Sequence, residues 1–560
     1  HGVGMSLCPS GVMDASYRIG PHHTLARYHP RVSTPNLGAA ESPIILQRIG
    51  LVLGPVLAAA AYTLLPSTLD HAPRAVAAVG ILMSAWWITE AAPLPVTSLL
   101  PVVLFPLLGA ADITAAGAPY ADRIIFLFAG GLLLGLAMQR AGLHTRIALT
   151  AVSLVGTNPK RLIAGVMIAT ALLSMWVSNT ATAVMMLPIG TSIAHLVLSH
   201  QSERDAHRKD ARNLSICLML AIAYGASIGG IATLIGTPPN AVFAGYVSKT
   251  FGQEIGFLTW MRVGLPLVAV YIPLAWATLV FIVFPISIRQ IPGGRELIRE
   301  QRAALGPITR SELIVLLTFA CTVALWIARP SLNALPPFRL LTDGGIAMAA
   351  ALVLFLIPRG APGPGAEPHG PHHSAPEDAT LDNASDKAAR IMDWHTATRL
   401  PWGVLLLFGG GLSLGAAMTS TGLDQWIGQQ FAALQGMHPA IVIAILVVAV
   451  VALSELASNT AVATTLMPVL GAAAVGMGLH PYLLLIPLTL ASSCGFMLPV
   501  ATPPNTVVFA SGYVSVRDMI KGGFVLDLIG IVLVVLLSLF AAGPLLGENL
   551  SRVPDWALPP

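Results

Sequence analysis

The chain has 560 residues, of which 55% are hydrophobic and only 10% are charged, and its mean hydropathy is +0.76. This composition excludes a water-soluble globular protein and predicts an all-α bundle that lies mostly in a lipid bilayer. The formal net charge of +4 comes from basic residues in short loops rather than from one basic face, which argues against nucleic-acid binding.

The segment before the first apolar run, residues 1–43, is polar and contains several prolines and histidines. It lacks the apolar core of a signal peptide, so we expect a disordered cytoplasmic arm. After it, the apolar runs predict eleven membrane-spanning helices. These are expected at residues 44–66, 74–91, 93–110, 122–140, 214–248, 258–287, 312–329, 342–358, 400–418, 481–512 and 523–546.

Two further apolar segments, residues 162–196 and 440–477, do not fit single spanning helices. Each has a Ser-Asn-Thr triplet near its middle, at Ser178–Thr180 and Ser458–Thr460. The triplet leaves arms of about 16 residues, shorter than the roughly 20 residues that a spanning helix needs. Each segment is therefore predicted to be a re-entrant hairpin with the triplet at its tip.

Three motifs occur twice in the same order, which indicates a duplicated chain. The pairs are Phe128–Met138 with Phe408–Met418, Ser178–Ala181 with Ser458–Ala461, and Gly236–Asn240 with Ala501–Asn505. The first half is predicted at residues 44–358 and the second at 400–546. A charged, Pro/Gly/His-rich segment at 359–399 is expected to link them in the cytoplasm, and residues 547–560 form a tail.

The distribution of Lys and Arg predicts the orientation in the membrane. Residues 140–161, 204–212 and 289–310 are rich in Lys and Arg, whereas residues 419–438 contain none. By the positive-inside rule the basic loops are cytoplasmic, so the first hairpin enters from the cytoplasm and the second from outside. The halves are then inverted repeats in a cell membrane of the bacterial inner-membrane type. The N-terminus is expected in the cytoplasm and the C-terminus outside.

The Thr-Pro-Pro-Asn motifs at Thr237–Asn240 and Thr502–Asn505 lie inside the predicted helices 214–248 and 481–512. Two consecutive prolines remove N–H donors and break a helix. A break exposes carbonyl oxygens that suit an alkali cation and N–H groups that suit a carboxylate, and the Ser-Asn-Thr tips offer both kinds of group. Paired breaks in two halves are typical of a transport site.

Each motif alone has a simpler interpretation. A single Ser or Asn in a membrane helix usually bonds to a neighbouring helix, and a lone Pro-Pro is usually a kink or a loop. The occurrence of both motifs in both halves favours the transport site. Glu455, next to Ser454 on the second hairpin, could relay protons or could brace the hairpin through a hydrogen bond to backbone.

None of the four motif stretches contains Lys or Arg. A bound multivalent anion would need positive charge from bound cations, which favours cation symport over an obligate anion exchanger. No catalytic triad, phosphate loop or zinc-protease motif is evident, so an intramembrane enzyme, a channel or a membrane scaffold is a weaker alternative and no organic cofactor is expected.

Over roughly residues 45–546, the two Ser-Asn-Thr and two Thr-Pro-Pro-Asn motifs resemble those of the divalent anion:sodium symporter family of dicarboxylate, citrate and sulfate transporters. The resemblance implies a homodimer in the lipid membrane, in which a transport domain with both hairpins moves as an elevator along a scaffold domain. It also implies at least two sodium sites. The first would use Ser174, Ser178, Asn179 and Gly236, and the second Ser454, Ala457, Ser458, Asn459 and Ala501.

The same resemblance implies that the anion lies between the sodium sites. Its contacts would be Ser178, Asn179, Thr180, Thr237, Ser458, Asn459, Thr460, Thr502 and Pro503. Succinate, fumarate, malate, citrate and sulfate all remain open, and C4-dicarboxylates are expected from their frequency in the family. A sodium-independent dicarboxylate or citrate exchanger of the same family is the nearest alternative, followed by a sulfate transporter.

Overall fold

The structure is a computed structural model that describes residues 41–156, 158–199, 205–288, 290, 294–359 and 390–558. Contacts within the chain divide it between Ile45 and Leu46. Most of the predicted N-terminal arm and most of the predicted linker lie outside the described residues. Within these ranges every regular element is helical, apart from one isolated β-bridge between Pro358 and Arg390. The predicted all-α class is confirmed.

The α-helices of the described ranges are numbered here in chain order. They are α1 (Glu41–Leu64), α2 (His71–Thr89), α3 (Leu94–Thr97), α4 (Leu100–Leu107), α5 (Ile113–Gly117), α6 (Arg123–Ala141), α7 (Leu143–Val155), α8 (Pro159–Ser174), α9 (Asn179–Ser199), α10 (Asp205–Gly230), α11 (Pro238–Phe251), α12 (Phe257–Ala277), α13 (Gly294–Ala304), α14 (Arg310–Leu332), α15 (Asp343–Leu356), α16 (Trp394–Ala397), α17 (Trp402–Thr421), α18 (Leu423–Phe431), α19 (Pro439–Leu456), α20 (Asn459–Gly476), α21 (Tyr482–Ala491), α22 (Pro503–Ala510), α23 (Val516–Leu536) and α24 (Ala542–Leu546).

Eleven helical segments of the described chain are long and apolar enough to cross a membrane. They run through α1, α2, α6, α9, α10, α12, α14, α17, α19, α20 and α23. Such a set makes the protein an integral, multi-pass membrane protein. The span through α10 is completely buried, whereas the span through α1 is only 11% buried, so α10 lies in the interior of the bundle and α1 at its periphery.

The number of candidate spans equals the predicted number, but the two sets differ. The predicted helices 93–110, 342–358 and 481–512 contain only short helices, and α9, α19 and α20 are long enough to span instead. In the first of these regions the helix is interrupted at Ser98 between α3 and α4. The Ser98 carbonyl oxygen accepts a hydrogen bond from Tyr120, and its hydroxyl accepts one from Trp87 at 3.2 Å. The Tyr120 bond occupies the Ser98 carbonyl oxygen, and the N–H of Val102 donates to Leu99 instead.

Each segment predicted as a hairpin is a pair of helices. The pair α8 and α9 breaks at residues 175–178, and the pair α19 and α20 breaks at residues 457–458, where the Ser-Asn-Thr triplets stand. Three of the four arms are longer than predicted, since α9 has 21 residues and α19 and α20 have 18 each. The second segment begins earlier than expected for a local reason. The His438 side chain accepts the N–H of Ala440 and so caps α19, whose first residue is a proline.

The elements follow in the same order in both halves. The helices α6 and α17 end at the left-handed glycines Gly142 and Gly422, with φ of 78° and 75°. A short helix, two helices joined at Ser-Asn-Thr, a broken helix and a long helix come next in each half. The long helices α12 and α23 both have 21 residues, and both continue into a π-helical turn, at Thr278–Val283 and Leu537–Ala541. The repeated motifs therefore belong to repeated elements.

The helices that carry the four motifs pack on one another. The helices α8 and α9 pack on α10, and α19 packs on α21 and α23. The long helices α12 and α23 also contact each other. A second set of helices pairs α15 with α6 and α17 with α2. The two sets meet along α11, which contacts α6 and α17, and along α20, which contacts α2 and α17.

Candidate functional site

The first break lies between Ser174, which ends α8, and Asn179, which begins α9. The hydroxyl of Ser178 accepts the N–H of Ala181 at 3.3 Å, and the Ser178 carbonyl oxygen accepts the N–H of Thr182 at 2.9 Å. Ser178 therefore caps α9 with its own side chain. The triplet interrupts the helix here because serine caps the N–H groups at the start of a helix better than it fits inside a helix.

Oxygen atoms from three elements gather around the Asn179 amide. The inward amide atom of Asn179 lies 3.2 Å from the Gly236 carbonyl oxygen, 3.1 Å from the Ala226 carbonyl oxygen and 2.6 Å from the Ser174 hydroxyl. With only acceptors and a hydroxyl around it, this inward atom is the amide nitrogen. A half-turn of the amide would put its oxygen among the same oxygens, which is the kind of ligand set that a hard cation binds.

The unwound stretch at residues 231–237 separates α10 from α11 and is held by Asn240. The Asn240 side-chain nitrogen donates to the carbonyl oxygens of Gly230 and Ile231 at 3.2 Å and of Thr233 at 2.7 Å. The Thr233 hydroxyl donates to the Met175 carbonyl oxygen at the first break and accepts the N–H of Gly236 at 3.1 Å. These bonds fix the unwound backbone against the Ser-Asn-Thr break.

The second break has the same residue types with fewer internal partners. It lies at residues 457–458, between α19 and Asn459 at the start of α20. The Ser454 hydroxyl and the Asn459 side-chain oxygen are buried, and neither has a hydrogen-bond partner among the described residues. Buried oxygens without a donor are costly, and a cation would satisfy both. The residues present therefore fit a sodium ion.

The second unwound stretch, residues 492–502, lies between α21 and α22 and repeats the brace of the first. The Asn505 side-chain nitrogen donates to the carbonyl oxygens of Gly495 at 3.2 Å and Leu498 at 2.9 Å. The Glu455 carboxylate also accepts the N–H groups of Met497 and Leu498, each at 2.9 Å. Of the two roles considered for Glu455, the structure therefore displays the bracing contact.

The two motif regions pack crosswise. The segment α22 of the second half packs against α9 of the first half, and α11 of the first half packs against α20 of the second. All four helices begin at a break, at Asn179, Pro238, Asn459 and Pro503. Helix N-termini carry unpaired N–H groups and about half a positive charge each, which suits a carboxylate. The arrangement thus combines oxygen clusters for cations with N–H groups for an anion.

The predicted residues differ in how the structure places them. Ser174, Asn179 and Gly236 come together directly. Five of the predicted residues are buried, namely Thr237, Ser454, Ala457, Ala501 and Thr502. Four are half-buried, namely Ser178, Ser458, Asn459 and Thr460, and two are exposed, namely Thr180 and Pro503. Thr237 and Thr502 adopt nearly the same extended backbone, with φ and ψ of −140° and 141° and of −138° and 147°.

Several contributing residues were missed by reasoning from the sequence. They are Ala226, which supplies a carbonyl oxygen, and the braces Asn240 and Asn505. The two asparagines did carry a signal, since each ends a repeated motif in a broken helix. Ala226 carried none, because a backbone carbonyl oxygen can come from any residue type.

Comparisons with known proteins identify the family to which the chain belongs. The family described as "Sodium:sulfate symporter transmembrane region" matches residues 49–546. The sodium-dependent dicarboxylate transporter SdcS of Staphylococcus saprophyticus is 38% identical over 508 residues, which cover 90% of this chain and 93% of that protein. The protein of the same name from Staphylococcus aureus strain NCTC 8325 is 37% identical over 512 residues, with the same coverage of 90% and 93%.

Solved structures with a similar fold have little sequence in common with the chain. The YdaH transporter of Alcanivorax borkumensis has a TM-score of 0.52 at 14% identity and covers 89% of this chain and 97% of its own. MtrF of Neisseria gonorrhoeae has a TM-score of 0.51 at 12% identity and covers 88% of this chain and 99% of its own. At these identities the likeness shows the fold alone.

Proposed function

The chain belongs to the sodium:sulfate symporter family, and we propose that it is a sodium-coupled symporter of C4-dicarboxylates such as succinate, fumarate or malate. The family resemblance predicted from the motifs is confirmed, and the protein is a transporter rather than an enzyme. The relatives at 38% and 37% identity are named as sodium-dependent dicarboxylate transporters, which supports both the coupling ion and the substrate class. The observation that carries the proposal is the pair of oxygen clusters at the two Ser-Asn-Thr breaks.

We assign one sodium ion to each break. The first site consists of Ser174, Ser178, Asn179 and the carbonyl oxygen of Gly236, and we add the carbonyl oxygen of Ala226, which lies 3.1 Å from the Asn179 amide. It is supported by the convergence of three oxygens on the Asn179 amide. Sodium binding there requires the half-turn that brings the Asn179 oxygen inward.

The second sodium site consists of Ser454, Ala457, Ser458, Asn459 and Ala501. Its support is the pair of buried oxygens at Ser454 and Asn459, for which the described residues supply no hydrogen-bond partner. Since this site already presents unpaired oxygens, it needs no half-turn of an amide before an ion binds. The first site therefore requires a side-chain rotation before sodium binds, and the second site does not.

The dicarboxylate is proposed to bind between the two sodium ions. The side chains expected at the anion are those of Ser178, Asn179, Thr180, Thr237, Ser458, Asn459, Thr460 and Thr502, with Pro503 at the start of α22. No Lys or Arg occurs in these stretches, so the two sodium ions and the helix N-termini would supply the positive charge. Sodium must then be present for the anion to bind, which is the basis of symport.

Transport is proposed to proceed by movement of the motif-bearing helices as one body. The contiguous packing of α8–α10, α12, α19, α21 and α23 supports such a body, and α11 lies at its contact with α6 and α17. The two breaks would be tips of re-entrant hairpins in inverted repeats, with the N-terminus in the cytoplasm and the C-terminus outside. A homodimer embedded in lipid would hold the second set of helices fixed while the first set moves.

Uptake of labelled succinate into proteoliposomes tests the function. An inward sodium gradient is compared with matched potassium and proton gradients, and with sodium-free vesicles preloaded with succinate. Accumulation with sodium alone supports symport. Uptake only into preloaded vesicles would instead indicate an exchanger, and flux of sulfate without flux of succinate would indicate a sulfate transporter.

A further inference from the structure

In each half of the chain, a hydrogen bond joins the Ser-Asn-Thr break to the unwound stretch at equivalent positions. Thr233 and Leu498 each stand four residues before the threonine of the Thr-Pro-Pro-Asn motif. Met175 and Glu455 each stand three residues before the serine of the Ser-Asn-Thr motif. The structure bonds Thr233 to Met175 and Leu498 to Glu455. We call each of these contacts a clamp, and both halves have one.

In the first half the side chain of the clamp belongs to the unwound stretch. The Thr233 hydroxyl donates to the Met175 carbonyl oxygen and accepts the N–H of Gly236 at 3.1 Å. Thr233 is completely buried and Met175 is 8% exposed, so water does not compete for these bonds. Met175 follows Ser174 in the chain. One hydroxyl therefore connects the backbone beside Ser174 with Gly236, and both of these residues are assigned to the first sodium site.

In the second half the side chain of the clamp belongs to the break. The Glu455 carboxyl accepts the backbone N–H groups of Met497 and Leu498 at 2.9 Å each. The Leu498 carbonyl oxygen in turn accepts the N–H of Ala501 at 3.2 Å. Glu455 follows Ser454 in the chain. The carboxyl therefore connects the backbone beside Ser454 with the turn that ends at Ala501, and both of these residues are assigned to the second sodium site.

The two halves thus make the same connection with different chemistry. Leu498 has no polar side-chain atom to replace the Thr233 hydroxyl, and the Met175 thioether is too weak an acceptor to replace the Glu455 carboxyl. Each half has one strongly polar side chain at the clamp, on opposite sides of the contact. Since the contact is present in both halves although its side chains differ, the connection between the break and the stretch is the common feature.

The asparagine braces have a different role. The side chains of Asn240 and Asn505 donate to carbonyl oxygens of their own unwound stretches and of the end of α10. These bonds fix the shape of a stretch but do not join it to the break. The Asn179 amide does join the two segments in the first half, but the proposed binding of sodium requires its rotation. The Thr233 bonds use none of the rotating atoms, so they persist when the ion binds.

A fixed distance between break and stretch matters because each sodium site takes ligands from both segments. A site binds its ion tightly only when its ligands are already held in place, since the free energy needed to bring them together is subtracted from binding. The clamps lie next to the ligand residues on both segments. Loss of a clamp should therefore weaken the binding of sodium at that site.

We propose that Thr233 and Glu455 are equivalent positioning residues, each of which sets the sodium affinity of one site by fixing the break to the unwound stretch. Neither side chain is a sodium ligand in this role. Thr233 acts through the backbone of Gly236, and Glu455 acts through the backbone of Leu498. The role rests on the proposed sodium-coupled function, because the ligands are those assigned under that function.

A sodium titration of thermal unfolding tests the role on the purified full chain, without succinate and at constant ionic strength. Sodium that binds the folded protein raises its unfolding temperature, and the concentration at which this rise occurs reports the affinity. Thr233→Val removes the hydroxyl, so this concentration should rise about fivefold, as expected for one lost hydrogen bond. Thr233→Ser keeps the hydroxyl and should titrate as the wild type does. A wild-type titration in Thr233→Val overturns the proposal.

Thr170→Val is the matched control. Thr170 is also completely buried, but its hydroxyl donates to the Val166 carbonyl oxygen within α8, at 2.7 Å. This variant should keep the sodium titration of the wild type even if its unfolding temperature is lower. An equal shift of the titration in Thr170→Val and Thr233→Val would mean that loss of any buried hydroxyl weakens sodium binding, and it would overturn the positioning role.

The second clamp is tested with two neutral replacements of Glu455. Glu455→Gln keeps one side-chain oxygen that can accept an N–H group, whereas Glu455→Met copies the first half and accepts neither group. Because both replacements remove the same charge, the difference between them reports the hydrogen bonds. The sodium concentration should rise more in the methionine variant than in the glutamine variant, and equal shifts would contradict the clamp. Glu455→Leu serves if the methionine variant does not fold.

Succinate uptake into proteoliposomes separates the positioning role from the proposed function. In Thr233→Val the sodium concentration for half-maximal uptake should rise, while the rate at saturating sodium stays close to that of the wild type, since a weaker site still fills. A lower maximal rate with an unchanged half-maximal concentration would indicate a merely structural role. If the wild type takes up succinate without sodium, the proposed function fails. If the wild type requires sodium and Thr233→Val responds to sodium as the wild type does, only the positioning role fails.

Discussion

Phe128 and Phe408 contact each other edge to face, with ring centroids 5.0 Å apart and ring planes at 75°. The two residues hold the same position in the repeated motifs Phe128–Met138 and Phe408–Met418. A contact between equivalent residues arises at a two-fold axis, where each copy presents the same surface to the other. The pair therefore supports a two-fold relation between the halves.

The Phe128 and Phe408 rings should be energetically coupled. Each single change to alanine is expected to lower the free energy of unfolding, and the double variant should lose less than the sum by about 0.5–1.5 kcal/mol, because both singles remove the same contact. Denaturation of the purified protein in sodium dodecyl sulfate measures these values. Phe126→Ala, on the same helix but 46% exposed, is the control. Strictly additive losses would show that the rings do not interact.

The two motif asparagines should be essential for transport. Asn179→Ala and Asn459→Ala each remove the amide at a proposed sodium site, so sodium-driven succinate uptake should fall to background in either variant. The elution volume in size-exclusion chromatography should stay unchanged, because both side chains lie at helix starts and the packed helices remain. Asn549→Ala, in the exposed C-terminal tail, is the matched control and should transport normally. Normal uptake in both site variants would remove the basis for the assignment.

Gly230 should tolerate no side chain. A Cβ atom there would overlap the Asn179 side-chain amide, and it would displace the amide from the oxygen cluster. Gly230→Ala is therefore expected to abolish sodium-dependent uptake. Gly117→Ala is the control, since no atom lies within 4 Å of the added Cβ at that position. Wild-type uptake by Gly230→Ala would mean that transport does not depend on the present position of the Asn179 amide.

The asparagines that brace the unwound stretches should contribute chiefly to stability. Asn240 donates to three carbonyl oxygens and Asn505 to two. Replacement of either by alanine leaves buried carbonyl oxygens unpaired, at a cost of about 1–3 kcal/mol for each group. Thermal unfolding of the detergent-solubilised variants should show a larger decrease for Asn240→Ala than for Asn505→Ala. A larger decrease for Asn505→Ala would contradict the larger number of hydrogen bonds that Asn240 donates.

Local features of the sequence predicted the fold class and the positions of the breaks. Long apolar runs in a chain of low charge allow only a helical membrane bundle. A Ser-Asn-Thr or Thr-Pro-Pro-Asn motif within such a run interrupts the helix at each of its four positions. The limits of the helices were less predictable. In the region predicted as helix 93–110, Tyr120 donates to the Ser98 carbonyl oxygen at the interruption, and the fold brings this partner there.

Contacts between distant segments explain what the sequence did not reveal about the site. Ala226 contributes its backbone carbonyl oxygen, and such a contribution cannot be recognised from the residue type. The motif residues were predictable because each half contains them.

The sodium dependence of transport tests the central claim most directly. The measurement is the initial rate of labelled succinate uptake into proteoliposomes as external sodium is raised at constant ionic strength. Two sodium sites that must both be filled before the anion binds predict no uptake without sodium and a sigmoidal rise with sodium concentration. Uptake that is independent of sodium, or that rises hyperbolically as for a single ion, would contradict the account.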